Sequence, residues 1–328
     1  MSGDVGADVS LPVPVPVPDT GVGPVPVPGE PVVLAPGLVR LTAPNPGLMT
    51  GPGTNTYLIG SGELALVDPG PADETHLAAM LAAVEARGTL RTILVTHTHL
   101  DHAPGAAALA QATGAQVVGF GPAENFAPDL CVGGGWTLRL PGGAAGDEGA
   151  GLGSGEEQGG DLTLEAVHTP GHASDHLCWL IQESRTLLTG DHLMHGSTVV
   201  IRPPDGDLAT YLASLALVRD LSPPIARLAP GHGRVMEQVG EVVDALLAHR
   251  LGRHARVADA LAAMGEGTVD ELLPRVYADV TEAQLPVARF SLWAHLRYLG
   301  EEGRAEPLDA EPGGDTVETR WRRIRDSA

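Results

Sequence analysis

Between residues 31 and 240 the chain alternates between two hydrophobic periods. Short apolar or β-branched runs at 32–34, 56–59, 64–67, 92–96, 116–118, 162–167, 177–181 and 186–189 predict strands. Between them lie stretches at helical spacing. Residues 73–87 put Leu77, Met80, Leu81 and Val84 on one face, and 207–221 do the same with Tyr211, Leu212, Leu215 and Val218. Residues 103–113 predict a third helix. This alternation alone specifies only an α/β or α+β chain.

The flanks read differently. Residues 1–30 are dominated by Val-Pro repeats, which remove donors and favour extended polyproline, so they predict a flexible leader. Residues 142–161 carry nine glycines and five acidic residues and predict a flexible insertion. Beyond 240 the pattern turns helical. Residues 239–264 predict one bent helix or two, 269–273 and 285–302 predict further helices, and Glu302-Gly303-Arg304-Ala305-Glu306 predicts the turn into a small hairpin. The organisation is therefore a leader (1–30), a main domain (31–240) and a small, mostly helical domain (241–328). The last ends in a basic tail, Arg320, Arg322, Arg323 and Arg325 around Trp321. Such a cluster suits contact with phosphate and base, and a disordered terminus is the competing reading.

Composition narrows the class. The 328 residues are 43% hydrophobic but only 3% aromatic, so the core is expected to be Ala, Val and Leu. No apolar run approaches the ~20 residues needed to span a bilayer. A basic segment leading into an apolar one is missing at the N-terminus, so a cytoplasmic protein without membrane contact is expected. Two cysteines, Cys131 and Cys178, are too few for a disulfide framework. The net charge is −21 although every basic residue is arginine. Nucleic-acid binding usually leaves a basic footprint. The acidity therefore weighs against an RNA substrate, while part of it falls in the 142–161 loop.

The chemistry begins at Thr96-His97-Thr98-His99-Leu100-Asp101-His102, directly after the apolar run 91–95. Three imidazoles and a carboxylate leaving one strand can wrap around neighbouring points in space, and these donors suit zinc and similar divalent ions. Further candidates occur in one kind of setting, a Gly-bearing turn after a short apolar run: His172 in His168-Thr-Pro-Gly-His172, Asp191 in Thr189-Gly190-Asp191, and His232 in Pro230-Gly231-His232-Gly233. Asp68, followed by Pro69-Gly70, has the same setting and is placed to orient a ligand or bound water.

In order along the chain, Asp68, His97-x-His99-x-Asp101-His102, His172, Asp191 and His232 resemble the signature blocks of the metallo-β-lactamase fold superfamily. The resemblance implies a four-layer αββα sandwich of α+β class over residues 31–240. It implies that His97, His99 and His172 hold one metal, that Asp101, His102 and His232 hold a second, and that Asp191 bridges. Finer features are Gly53-Thr-Asn55-Thr-Tyr57, Asp175-His176 after His172, His192 and His195 after Asp191, and His249-Arg250-x-x-Arg253 followed by a C-terminal segment. These look like the β-lactamase-like protein 2 group, which joins such a domain to a small winged-helix-like domain and includes endoribonucleases acting on single-stranded RNA.

The expected function is a hydrolase in which a metal-bound hydroxide, oriented by Asp101 and Asp191, attacks phosphorus or a carbonyl carbon. Two zinc ions per chain are expected, and manganese or iron also fit the donors. Phosphodiesters or single-stranded RNA stand first as substrates. The alternative is thioester or lactone hydrolysis of glyoxalase II-like type, a group that shares His-x-His-x-Asp-His but lacks this wing arrangement. A non-enzymatic nucleic-acid or partner binder stands last. Asp68, Asn55, His176 and His192 are expected to support the ligands or meet substrate. His168, His76, His254 and His295 are expected to be structural or surface residues. His249 and Arg250 are expected either to anchor the two domains or to bind an anionic substrate.

Overall fold

Residues 18–142, 160–308, 310 and 313–324 are described by the computed structural model. A six-stranded sheet runs in the order Val32–Ala35, Leu38–Thr42, Asn55–Val67, Gly88–Leu94, Gln116–Gly119 and Leu130–Cys131. Its first three strands are antiparallel and the rest parallel. A seven-stranded sheet is ordered Gly21–Val22, Val235–Met236, Arg227–Pro230, Thr186–Gly190, Leu177–Ile181, Leu162–His168 and Thr137–Leu140.

The alternation of side chains along each strand divides these residues between layers. Tyr57, Ile59 and Val67 meet Leu164, Trp179 and Leu188 between the two sheets. Leu58, Leu64 and Leu66 face outward, where helices α1 (Glu74–Glu85) and α2 (Gly105–Thr113) cover them with Met80 and Leu109. Cys178, Leu180 and Leu187 face outward from the other sheet. There α3 (Leu208–Asp220) and the first turns of α4 (Val239–Met264) cover them with Tyr211, Leu215 and Val242. The result is the expected αββα sandwich. Asp73 and Asp207 start α1 and α3 by accepting from the backbone N–H of His76 and Thr210.

The C-terminal domain has its own core. The last turns of α4 pack with α5 (Val269–Val276), α6 (Leu285–Glu301) and a three-stranded sheet of Glu266–Gly267, Trp321–Arg323 and Ala305–Pro307. Thr268 and Glu271 close a reciprocal cap at the start of α5. No helix among the described residues is long and apolar enough to cross a membrane.

Several elements differ from the sequence reading. Residues 56–59 and 64–67 are one 13-residue strand, because the exposed polar stretch Ser61-Gly62-Glu63 continues the ladder instead of turning. Leu38–Thr42 is a fully buried strand missed because it contains Arg40, whose guanidinium donates to the Pro24 carbonyl. The expected leader gives way to structure before residue 30: Gly21–Val22 pairs with Val235–Met236 at the edge of the larger sheet. Residues 239–264 form one continuous helix. The described part of the basic tail is not open to a base at Trp321, which is 3% exposed and belongs to the core of the small domain. The earlier leader, the insertion between 143 and 159, and Arg325 lie outside the described residues.

Candidate metal centre

Four loops at one end of the sandwich bring the predicted ligands together. Strand Gly88–Leu94 releases the chain into His97–His102, and the turns after Leu162–His168, Thr186–Gly190 and Arg227–Pro230 supply His172, Asp191 and His232. Gly231 is needed for close approach. A Cβ there would lie 2.7 Å from His102 Cε1 and 2.8 Å from Asp191 Oδ1.

Two groups of donors result. In the first, His99 Nδ1 lies 2.9 Å from His97 Nε2 and 3.0 Å from His172 Nε2. In the second, Asp101 Oδ2 lies 3.4 Å from His102 Nε2 and 3.2 Å from His232 Nε2. Asp191 stands between them. Its Oδ1 is 3.4 Å from His102 Nε2 and 3.3 Å from His232 Nε2, while its Oδ2 is 3.6 Å from His172 Nε2. Each group brings its ligand atoms within 4.8 Å of one another, close enough to share an ion.

The opposite ring nitrogens are engaged elsewhere, and this sets the tautomers. His172 Nδ1 donates to the Val200 carbonyl at 2.7 Å and His232 Nδ1 faces the Gly53 carbonyl at 3.3 Å. His102 Nδ1 meets Asp68 Oδ2 at 2.8 Å. Thr96 gives its hydroxyl proton to Asp68 Oδ2 and faces His97 Nδ1 at 3.0 Å. One carboxylate thus braces a histidine in each group. Asp68 itself sits at φ +53°, a left-handed conformation that costs a non-glycine residue about 1–3 kcal/mol. Three hydrogen bonds, from the Thr96 N–H, the Thr96 hydroxyl and His102, hold it there.

The two groups differ electrically. Burial, reinforced by neighbouring histidines, keeps His97 well below its ordinary pKa, and burial outweighs Asp191 to bring His172 down to about 4. Burial also opposes charge on His102 and His232. The carboxylates of Asp101 and Asp191 override it, holding His102 well above its ordinary value and His232 at about 9. Asp101 and Asp191 are held far below the usual carboxylate range against their own burial, by His102 and His232. Among the described residues no arginine pairs with Asp68, Asp101 or Asp191.

This donor set fits two divalent cations. The ring nitrogens left by these contacts converge, the carboxylates lack a permanent counter-charge, and His102 Nε2 and Asp191 Oδ1 are buried without a hydrogen-bond partner. His99 is the exposed member and Asp101 is partly exposed, so the site opens on their side, beside the exposed Leu100.

The supporting residues fall into place unevenly. Asn55 is fully buried and donates to the Pro230 and Gly233 carbonyls, bracing the His232 turn. His176 is also fully buried. Its Nε2 accepts the Asp191 N–H at 3.2 Å and its Nδ1 meets the Thr169 hydroxyl at 3.0 Å. His192 is sealed from solvent, and its carbonyl accepts the Tyr211 hydroxyl at 2.9 Å. Full burial leaves neither ring facing solvent, and the His176 ring supports Asp191. His195 turns away to Asp19 at 2.9 Å. His76, His254 and His295 are buried, and His76 Nε2 meets the Thr56 hydroxyl. Sequence reading gave no role to Thr96, to Tyr57, whose hydroxyl donates to the Pro230 carbonyl, or to Asp175, whose carboxylate accepts the Thr98 N–H. A polar residue inside or beside an apolar run was the available signal at Thr96 and Tyr57.

Comparison with known proteins agrees with this geometry. Residues 49–232 match the model of the metallo-beta-lactamase superfamily, and residues 268–315 match the beta-lactamase associated winged helix domain. The chain is 30% identical over 280 residues to a beta-lactamase-like protein 2 homolog of Drosophila melanogaster, covering 83% of this chain and 90% of that one. It is 35% identical over 233 residues to an atrochrysone carboxyl ACP thioesterase of Aspergillus fumigatus, covering 70% of this chain and 66% of that one. A beta-lactamase domain protein from Burkholderia ambifaria shares the fold, with a TM-score of 0.72 at 20% identity over 94% of this chain and 97% of that one.

Proposed function

Since the chain belongs to the metallo-beta-lactamase superfamily, a family of generally hydrolytic metalloenzymes, and carries its associated winged-helix domain, we propose that it is a zinc-dependent hydrolase of small esters or thioesters. The observation that carries the reaction class is the placement of Asp191, with one carboxylate oxygen toward each group of histidines. His97, His99 and His172 would hold one ion, and Asp101, His102 and His232 the other. When bound, such ions would supply Lewis acidity, lowering the pKa of water and stabilising negative charge that develops on oxygen.

The protein's own groups do the rest. Asp101 and Asp191 stay ionised and therefore orient an attacking water by accepting its proton in a hydrogen bond, rather than storing it. His172, kept neutral by burial, presents a lone pair at Nε2 because Val200 occupies Nδ1. His176 accepts the Asp191 N–H and so fixes the turn that carries the carboxylate.

Substrate class is where this reading departs from the order that sequence favoured. Arginines of the small domain face acids of the same domain: Arg320 meets Glu271, Arg322 meets Glu306, and Arg289 meets Asp270 and Glu318. Trp321, the candidate stacking residue, is buried. A net charge of −21 adds to the disfavour for a polyanion. The ACP thioesterase relative supports a thioester. Single-stranded RNA remains the second reading, favoured by the winged-helix domain.

Turnover of an acyl thioester, a p-nitrophenyl ester, a lactone, bis(p-nitrophenyl) phosphate and single-stranded RNA by one preparation tests the choice. Ester or thioester cleavage without RNA cleavage is expected. RNA cleavage that weakens steeply with salt would reverse the order.

A further inference from the structure

Helix α4 joins the two domains, and two arginines one turn apart on it point to opposite tasks. Arg253 serves the small domain. It donates to the Val276 carbonyl at 2.5 Å, pairs with Asp279 at 2.8 Å and stacks on the Tyr277 ring at 4.3 Å. Arg250, on the same face of the helix, reaches the main domain instead. It is 4% exposed and donates to the Val199 carbonyl at 2.5 Å. Its guanidinium carbon also lies 5.2 Å from the centre of the Tyr211 ring.

Both of those partners lead to the metal centre. The residue after Val199 is Val200, whose carbonyl accepts from His172 Nδ1 at 2.7 Å. Tyr211 gives its hydroxyl proton to the carbonyl of His192, next to Asp191. Tyr211 also supports the His172 turn directly. Gly171 adopts φ +135°, and a Cβ there would sit 2.4 Å from Tyr211 Cα. The backbone of that turn therefore lies against α3 with no room for a side chain. No other described guanidinium donates to this segment.

We infer that Arg250 is a positioning residue, through which the helix that carries the winged-helix domain holds His172 and Asp191 in their ligating geometry. The inference rests on the proposed roles of His172 and Asp191 as metal ligands. Guanidinium suits the task, because its planar face covers an aromatic ring while its edge donates to a carbonyl. The consequence is a small domain that acts on the metal centre without contributing a ligand.

The test measures zinc affinity of the full chain by competition with a chromophoric chelator, with the circular dichroism and melting temperature of the metal-free protein alongside. Arg250→Met should bind zinc about 10- to 100-fold more weakly while its metal-free fold is retained. Arg250→Lys, which keeps a donor but loses the planar face, should fall between it and wild type. Arg253→Met should lower the melting temperature yet leave zinc affinity within about twofold, since its partners belong to the small domain. A folded Arg250→Met with wild-type zinc affinity overturns the inference. If Arg250→Met does not fold, Arg250→Lys decides, and wild-type affinity in that variant overturns it equally. A wild-type chain that binds no zinc removes the premise and the inference with it.

Discussion

Asp68 stands behind His102, with its Oδ2 2.8 Å from the histidine's Nδ1, and the same oxygen takes the Thr96 hydroxyl proton at 2.8 Å. One buried carboxylate therefore sets the tautomer of His102 directly and buttresses His97 through Thr96. Asp68→Asn would keep the shape but place an NH2 opposite at least one of these donors. Metal affinity should fall about 10- to 100-fold, as expected for loss of a group that orients a ligand. Chelator competition measures this. Unchanged affinity would show that Asp68 only shapes the backbone.

His99 is the cleanest candidate ligand to remove. Its exposure contrasts with the burial of His97 and His102, whose loss would leave gaps in the core. His99→Ala should change the stability of the metal-free protein by no more than about 0.5 kcal/mol. Its turnover should fall at least about 100-fold and its metal content should drop. Melting curves and metal analysis on one sample separate the two effects.

Metal binding should release protons. In the metal-free protein at pH 7, His102 and His232 are charged, because the Asp101 and Asp191 carboxylates overcome burial to raise both, His232 to about 9. His172, down at about 4, is already neutral. Ligation needs the free lone pair, so zinc binding at pH 7 should expel about two protons per chain. Affinity should rise with pH until about 9. For stability the sign is opposite. A raised histidine stabilises the metal-free fold fully below its unfolded value of about 6.5, and that contribution is lost as pH climbs through about 9. Calorimetry in buffers of different ionisation enthalpy counts the protons, and metal-free melts at pH 6.5 and 9.5 check the sign.

Trp321 is a core residue of the small domain, packed with Leu272, Leu296 and Leu299. Trp321→Ala should cost about 3–5 kcal/mol through the cavity it leaves. Loss of nucleic-acid binding with an unchanged melting temperature would instead restore it as a stacking residue.

The sandwich was legible because Leu177–Ile181 and Thr186–Gly190 are continuous apolar runs, and because Asp73 and Asp207 mark helix starts plainly. The residues that the candidate centre brings together were legible because each follows such a run. Features decided by distant partners were not. Arg40 reads as a break in a strand until the Pro24 carbonyl is placed beside it. Gly21–Val22 reads as leader until Val235–Met236 offers an edge. Trp321 and its arginines read as a loose tail, since nothing local shows that Glu271 and Glu306 lie opposite. Arg250 looked equally suited to anion binding and to anchoring, and only burial against Val199 separates the two.

The most direct test of the central claim is metal content measured together with hydrolysis before chelation, after chelation and after zinc is restored. About two zinc ions per chain, hydrolysis lost on their removal and regained on their return, is the predicted result. Full hydrolysis by a folded chain stripped of metal would contradict it.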